Sequence, residues 1–349
     1  MRAVKVKRVL FFPLIRLPVV RTENSLPVNR KLETEDGVME FRLLSYIGKQ
    51  GTPRAGLLVE DEHVIDIALA IGERQAGTEK PHPTSILSVL ESWDKVLPAL
   101  RETAGNSRDF ASADVGHVSN IQLAAPILYP PSIYCAAANY VDHSKEMKDG
   151  HLPDKSQAQP YFFTKLPRQT VIGPNEAIQI PYPEAKVDWE AEIGVVIGRP
   201  CRNVAISQAM EHIAGFVIFN DLSDRVRNFR TDWYFKFDWL GGKSFNTSAP
   251  MGPWITPKEL IADPHNLNIQ LWVNDELMQN ASSRQMVFTI AEQIGYLSEL
   301  LTLLPGDVIA TGTPPGVGHA RGIYLKPGDT VTIKIEGLGT LTNRVIAGY

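Results

Sequence analysis

Val187-Asp-Trp-Glu-Ala-Glu-Ile-Gly-Val-Val-Ile-Gly198 is the segment from which the architecture of this chain can be argued. Side chains alternate between the two faces of a strand, so Asp188, Glu190 and Glu192 are predicted to share one face. Carboxylates that are buried need cationic partners or a metal ion, and a cluster of them suits a hard divalent cation. An edge strand with its acids in solvent explains the spacing equally well. The segment therefore predicts either a metal site or a solvated edge.

The composition is that of an ordinary globular protein. The chain has 349 residues, of which 44% are hydrophobic and 21% charged, with a net charge of −4. That charge disfavours nucleic acid, which binds basic surfaces. Cys135 and Cys201 have no metal-ligand spacing, so reduced thiols and a cytoplasmic location are expected. The apolar residues 9–20 are interrupted by two prolines and an arginine and are too short to span a membrane.

The patterns divide the chain into three parts. Residues 1–38 are basic and are predicted to be a disordered extension, with a targeting peptide as the less favoured interpretation. Residues 39–120 predict a small α/β domain with a helix capped by Ser85 and ending near residue 97, and the polar segment 101–120 fits a linker. Residues 121–349 contain many short apolar runs separated by proline and glycine. The chain is therefore predicted to be a β-rich α+β protein.

Two further polar residues and one loop follow strand-like or glycine-rich segments. Asp221 follows directly after an apolar run. By itself it is interpreted as a turn residue, but with the two glutamates it can complete a three-carboxylate site. Lys243 follows a glycine pair, where it can lie on the surface or reach a bound oxyanion. Residues 311–318 form a glycine-rich loop whose backbone N–H groups suit an anionic ligand.

His143 and Glu146 are spaced three residues apart, which places them on one face if this segment is helical. The carboxylate would then fix the imidazole tautomer and make His143 a general base for water. An exposed polar helix with a chance pair is the commoner outcome for such spacing. The pair is therefore a hypothesis that depends on its surroundings.

Taken in order, eight segments resemble the fumarylacetoacetate hydrolase family over residues 122–349. They are Asn139-Tyr-Val-Asp-His-Ser-Lys-Glu146, Phe162-Phe-Thr-Lys165, Val171-Ile-Gly-Pro174, Asp188-Trp-Glu-Ala-Glu-Ile-Gly194, Asn220-Asp221, Gly242-Lys-Ser-Phe245, Gly252-Pro-Trp254 and Thr311-Gly-Thr-Pro-Pro-Gly-Val317. The resemblance implies a mixed β-sandwich or β-roll as the C-terminal catalytic domain, preceded by the small domain that some members carry. It also implies a homodimer.

The resemblance assigns roles to ten residues. The implied ligands of Mg²⁺ (or Mn²⁺ or Ca²⁺) are Glu190, Glu192 and Asp221. The implied catalytic residues are His143 and Glu146, on a lid segment that orders over substrate, and Lys243. The implied contacts to the substrate are Lys165, Arg225 and Thr313, with Asp188 supporting the metal ligands from behind.

The sequence also departs from the family pattern around the expected site. The acid that often follows Arg225 is replaced by Val226, and the usual glycine before Asn139 by alanines. Residues 227–239 are unusually rich in aromatic and arginine residues. The arginines after Asp221 suggest a substrate with a second carboxylate, and a solvated loop is the alternative interpretation. These departures bear on the substrate more than on the metal.

The implied function is a divalent-metal-dependent hydrolase in aromatic compound catabolism. It would cleave a carbon–carbon bond of a 1,3-dicarbonyl or acylpyruvate-type acid through a metal-bound enolate, with His143 and Glu146 activating water. The same site would also serve a decarboxylase or isomerase of an oxaloacetate-like or hydroxymuconate-like acid. A non-catalytic relative that binds a small acid is the alternative from another class, and neither nucleic acid nor membrane is an expected partner.

Overall fold

The computed structural model describes residues 40–74, 83–147 and 155–349, so the prediction for residues 1–38 lies outside the described part. The strands there are β1 (Phe41–Ile47), β2 (Pro53–Val59), β3 (His63–Asp66), β4 (Asp114–His117), β5 (Leu123–Ala124), β6 (Ile133–Ala137), β7 (Tyr161–Lys165), β8 (Val171–Ile172), β9 (Ile178–Ile180), β10 (Val187–Asp188), β11 (Ala191–Ile197), β12 (Ile213–Asn220), β13 (Ser223–Asp224), β14 (Ala249–Pro257), β15 (Asn268–Val273), β16 (Glu276–Ser282), β17 (Val308–Ala310), β18 (Thr330–Ile335) and β19 (Gly339–Ala347).

The helices are fewer and mostly short. The α-helices are α1 (Ile67–Arg74), α2 (Ile86–Glu91), α3 (Trp93–Gly105), α4 (Val141–Glu146), α5 (Pro167–Thr170), α6 (Trp239–Lys243), α7 (Ile290–Leu300) and α8 (Gly318–Arg321). The 3-10 helices are Ser107–Phe110, Val118–Asn120, Lys155–Gln157, Ile206–His212, Lys258–Leu260 and Ser283–Gln285. The predicted β-rich α+β class is confirmed. Among the described residues, no helix is both long and apolar enough to cross a bilayer.

Two large sheets and one small ribbon organise these strands. The larger sheet has the order β4-β3-β2-β1-β14-β12-β11-β17-β6-β7, with β5 beside β1 and β8 beside β14. The smaller sheet has the order β16-β15-β18-β19-β9, and β10 pairs with β13 alone. Ile193 of β11 lies in the same buried cluster as Leu271 of β15 and Ile333 of β18, so the two sheets pack face to face.

Strand β11 lies in the middle of the larger sheet and is buried on both faces. Ile193 and Val195 face the smaller sheet, whereas Val196 belongs to the cluster that contains Leu43 of β1 and Trp93 of α3. Every residue of β11 is buried. The interpretation of this segment as a solvated edge strand is therefore wrong.

The segment before residue 120 extends the larger sheet, because β1 pairs antiparallel with β14 at Leu43 and Ile255. Ser85 caps α2 as expected, with the Ser88 N–H donating to its hydroxyl at 3.1 Å. The predicted helix is in fact two helices, and the second continues to Gly105. Residues 101–120 are not a linker, since β4 lies within them and pairs with β3. The domain boundary at residue 120 stays a prediction.

Candidate metal centre

The acids of the opening segment lie where two neighbouring strands are both interrupted. Glu190 falls between β10 and β11, and Asp221 falls between β12 and β13, directly across the pair. The Asp221 N–H donates to the Glu190 carbonyl at 2.9 Å, and the Glu190 N–H donates to the side-chain oxygen of Asn220 at 3.1 Å. The segment predicted as one strand is thus interrupted at Trp189 and Glu190, because β10 pairs with β13 alone whereas β11 belongs to the larger sheet. The break turns both carboxylates toward one point.

Glu190, Glu192 and Asp221 offer one oxygen each within 4.8 Å of one another, and all three residues are buried. Together with Asp188 they are called the acidic floor. Oxygen-only donor sets of this kind match hard divalent cations. The prediction that these three side chains come together is confirmed, while their action as metal ligands stays a prediction.

Lys243 and Arg225 neutralise part of the acidic floor, together with Lys165, which is described below. Lys243 Nζ lies 2.7 Å from Glu190 Oε2 and 2.8 Å from Asp221 Oδ2, and Arg225 Nη2 lies 2.6 Å from Glu190 Oε1. Burial by itself would raise the pKa of the Glu190 carboxyl, but Lys243 and then Arg225 outweigh it and hold that pKa well below its usual range. Glu190 is therefore a carboxylate at neutral pH.

Glu192 is the acid that lacks a matched cation. Burial, followed by the negative charges of Asp221 and Glu190, raises the pKa of its carboxyl well above the usual value. The Gly312 N–H donates to Glu192 Oε2 at 2.7 Å, which offsets only part of this cost. A divalent cation among the three side chains would relieve the repulsion. The residues present therefore fit such an ion.

His143 and Glu146 form the expected pair at the end of α4. His143 Nδ1 lies 2.9 Å from Glu146 Oε1, and Glu146 Oε2 also accepts the Gly316 N–H at 3.0 Å. A glutamate held in this way accepts a hydrogen bond from the Nδ1–H group, so the free lone pair of the imidazole is on Nε2. His143 is nearly buried and lines the cavity described below. The interpretation as a chance pair on an exposed helix is therefore wrong.

The segment from the end of β17 to the first residue of α8 donates backbone N–H groups to the acids of the site. Gly312 donates to Glu192, Gly316 to Glu146, and Gly318 to Asp188 Oδ1 at 2.7 Å. The sequence favoured an anionic ligand for this loop, but these amides bind the protein's own carboxylates. Glycine is required at residue 312, where φ is +96° and a Cβ would lie 2.6 Å from the Asn139 Cβ.

Lys165 does not reach the cavity. Its ammonium is fully buried, lies 2.8 Å from Asp221 Oδ1, and donates to the carbonyl groups of Leu222 and Ser248 at 2.9 Å each and to that of Lys243. Burial lowers the pKa of Lys165, although Asp221 opposes this shift. Its predicted contact with substrate finds no support in this geometry, because its donors are already used behind Asp221.

Arg225 and Asp188 form a buried pair beneath Glu190. Asp188 Oδ2 accepts from Arg225 Nε at 2.9 Å and from Nη2 at 2.8 Å, while its other oxygen accepts from the Trp189 and Gly318 N–H groups. Asp188 therefore supports Glu190 through Arg225, as its predicted role requires. Arg225 also lines the cavity, but its guanidinium pairs with Asp188 and Glu190.

Thr313 reaches the cavity wall with its hydroxyl already engaged. The hydroxyl donates to the Ala191 carbonyl at 2.9 Å and accepts from Gln279 Nε2 at 2.9 Å. Gln279 also accepts the Ala191 N–H at 3.0 Å and is fully buried. Sequence reasoning missed Gln279, because a single amide in an amphipathic strand gives no signal of its own.

One cavity of about 480 Å³ collects most of the predicted site residues. Those that line it are His143, Glu190, Glu192, Arg225, Lys243 and Thr313. Those that stand outside its lining are Glu146, Lys165, Asp188 and Asp221. The sequence did not assign a place in the site to four aromatic lining residues, namely Phe163, Phe229, Phe237 and Trp239, although it showed that residues 227–239 are rich in such residues.

The chain is similar to characterised proteins over most of its length. It is 35% identical over 320 residues to the oxaloacetate tautomerase fahd2, mitochondrial, of Xenopus laevis. This match covers 90% of this chain and 92% of that protein. The crystal structure of maleylpyruvate hydrolase from Sphingobium sp. SYK-6, in complex with manganese(II) and pyruvate, has 28% identity and a TM-score of 0.67 and covers 88% of this chain and all of that one.

A third similar protein is 5-carboxymethyl-2-hydroxymuconate delta-isomerase from Mycobacterium smegmatis. Its crystal structure has 30% identity and a TM-score of 0.65, and the match covers 88% of this chain and 99% of that one. The family model described as fumarylacetoacetate (FAA) hydrolase C-terminal matches residues 132–346. The resemblance stated from the motifs is thus confirmed, and the chain belongs to the fumarylacetoacetate hydrolase family.

Proposed function

We propose that this protein is a divalent-metal-dependent enzyme that interconverts the enol and keto forms of a small 2-oxo carboxylic acid. One observation carries the proposal: His143, Lys243 and the carboxylates of Glu190 and Glu192 line a single cavity. A bound acid can therefore contact a base, a fixed positive charge and a cation site at once. The relative from Xenopus laevis, named an oxaloacetate tautomerase, supports this reaction class.

The residues of the chain divide the proton transfer between them. In the keto-to-enol direction, Nε2 of His143 accepts a proton from the carbon beside the carbonyl. His143 then gives this proton to the enolate oxygen, so the atoms balance. Glu146 keeps the imidazole in the required tautomer through the 2.9 Å contact at Nδ1. Lys243 stabilises the negative charge that develops on the oxygen. When bound, a divalent cation supplies Lewis-acid chemistry by polarising the carbonyl oxygen.

Hydrolysis of an acylpyruvate is the second candidate function. The same His143–Glu146 pair can take a proton from water, and the maleylpyruvate hydrolase of Sphingobium sp. SYK-6 has a similar fold. The manganese and pyruvate in that crystal structure suit either reaction class. A non-catalytic role is disfavoured, because the base and the full carboxylate cluster are both present.

The test compares three acids with the purified protein in Mn²⁺ or Mg²⁺. NMR would monitor enol–keto exchange of oxaloacetate as hydrogen–deuterium exchange at carbon 3. We expect this exchange to stop in EDTA and to return when metal is added. Mass spectrometry of reactions with an acylpyruvate and with a hydroxymuconate-type diacid would separate hydrolysis from isomerisation. Turnover unchanged in EDTA would contradict the metal requirement, and no reaction with any of the three acids would contradict the proposal.

Three further properties stay predictions. Mg²⁺ as the physiological ion is an expectation that metal content after native purification would test. A homodimer is expected for this family, and sedimentation would measure it. The cytoplasmic location contrasts with the word mitochondrial in the name of the relative from Xenopus laevis, so fractionation of cells would decide between the two compartments.

A further inference from the structure

Four aromatic side chains form a continuous row of ring contacts in the cavity that Glu190 and Glu192 of the acidic floor line. Phe163 and Trp239 stack with ring centroids 4.8 Å apart and planes at 7°, and Trp239 and Phe237 stack at 5.5 Å and 11°. Phe229 meets Phe237 edge-on at 5.8 Å and 81°. All four line the cavity, and together they are called the aromatic wall.

The aromatic wall runs from the acidic floor to the solvent. At its inner end, Phe163 is buried, and Lys243 Nζ lies 4.9 Å from its ring centroid. At its outer end, Phe229 and Phe237 are 51% and 56% exposed although they line the cavity. Half-exposed rings beside a charged floor favour a ligand that is polar at one end and apolar at the other.

The arginines near the aromatic wall are already engaged with other groups. Arg225 pairs with Asp188 and Glu190, and Arg230 pairs with Asp232. Arg227 lies over the Tyr182 ring at 4.2 Å. Among the described lining residues, the cationic and imidazole groups are Arg225, Lys243, His143 and His319, and none is on the wall itself. The suggestion of a second substrate carboxylate therefore finds no support here.

We infer that the aromatic wall is a subsite for a planar apolar substituent, so that the preferred ligand is a 2-oxo monoacid with an aromatic tail. This inference rests on the proposed function and narrows its substrate class. The carboxylate and carbonyl bind at the acidic floor, and the tail stacks on Phe237 and Phe229. A cavity of about 480 Å³ is in the range that holds drug-sized ligands and has room for such a tail.

The test measures the dissociation constants of pyruvate and phenylpyruvate by calorimetry on the full chain in saturating Mn²⁺. The two acids share the 2-oxo acid head and differ only in the phenyl ring. We expect phenylpyruvate to bind about tenfold more tightly, since ring burial and stacking act together. Phe237→Ala and Phe229→Ala should each remove most of that preference and leave pyruvate affinity unchanged.

Tyr234→Ala is the matched control. Tyr234 is an exposed aromatic residue between β13 and α6, as Phe229 and Phe237 are, but it does not line the cavity. It should leave both constants unchanged. Pyruvate binding without any preference for phenylpyruvate, or a preference that survives the Phe229→Ala/Phe237→Ala double substitution, would overturn this inference alone. Absence of binding by either acid would overturn the proposed function and this inference with it. Circular dichroism of each variant excludes a folding defect.

Discussion

Two arginine–aspartate pairs, one at the acidic floor and one on the loop of residues 229–237, show how burial decides what a contact does. Arg230 Nε and Nη2 reach the two oxygens of Asp232 at 2.9 and 2.5 Å, which is bidentate geometry. Arg225 places Nε and Nη2 on one oxygen of Asp188. The side chains of the first pair are 43% and 66% exposed, whereas those of the second are 7% and 0% exposed.

The better-aligned pair is thus the one of lesser consequence. Water screens the Arg230–Asp232 pair, and exposed ion pairs contribute little to stability. The Arg225–Asp188 pair has no water to replace a lost partner, so removal of one member leaves a buried charge. The difference teaches that the acidic floor is held in one arrangement by contacts that cannot be exchanged for water. The exposed Arg230–Asp232 contact, in contrast, can be replaced by contacts with water at little cost.

The largest expected effect is on catalysis at the floor. His143→Ala should lower kcat for enol–keto exchange by about 10²- to 10⁴-fold, because the general base is lost. The affinity for Mn²⁺ should stay unchanged, since His143 is not in the carboxylate cluster. Steady-state rates and calorimetry measure the two properties, with His63→Ala, at an exposed histidine of β3, as the control. Full activity of His143→Ala would remove this residue from the mechanism.

Next in size is the stability lost with a buried lysine. Lys165→Met should reduce the free energy of unfolding by about 3–5 kcal/mol, because Asp221 and three carbonyl groups lose their buried donor. Urea denaturation measures this change. Lys334→Met, at an exposed lysine of β18, is the control and should have little effect. A Lys165→Met protein as stable as the wild type would show that Lys165 does not hold the acidic floor together.

A smaller effect, on the affinity for Mn²⁺, is expected when Asp188 and Asp232 are compared directly. Asp188→Asn should weaken Mn²⁺ binding about 10- to 100-fold, because Arg225 would then pair mainly with Glu190 and compete with the ion for it. Asp232→Asn makes the same chemical change in the exposed pair and should leave Mn²⁺ affinity unaltered. Both variants would be titrated with Mn²⁺, and electron paramagnetic resonance would measure the free Mn²⁺ at each step. Equal affinities would contradict a positioning role for Asp188.

The smallest effect is expected on the exposed loop. Phe235→Ala should change the free energy of unfolding by less than about 0.5 kcal/mol, because this ring is 63% exposed and lies outside the cavity lining. Urea denaturation beside Lys165→Met places the two regions on one scale. A loss of several kcal/mol would mean that the loop is packed in solution, for instance against a second copy of the chain.

Local rules account for what the sequence determined by itself. Strand alternation predicted that Glu190 and Glu192 lie together, which they do although Glu190 just precedes β11, and helical spacing predicted His143 beside Glu146. The ordered motifs then identified the family and the β-rich fold. All of these inferences concern residues within a few positions of one another or a pattern of known order, so the linear chain contains the information.

Contacts between distant segments decided the rest. Only the tertiary structure shows that β11 is central rather than an edge, because its neighbours β12 and β17 come later in the chain. It alone shows that the amides of Gly312, Gly316 and Gly318 bind the protein's carboxylates rather than a ligand anion. It also placed Lys165 behind Asp221 and assembled the aromatic wall from β7, α6 and a loop. Burial and hydrogen-bond partners are properties of the folded chain, and no local pattern specifies them.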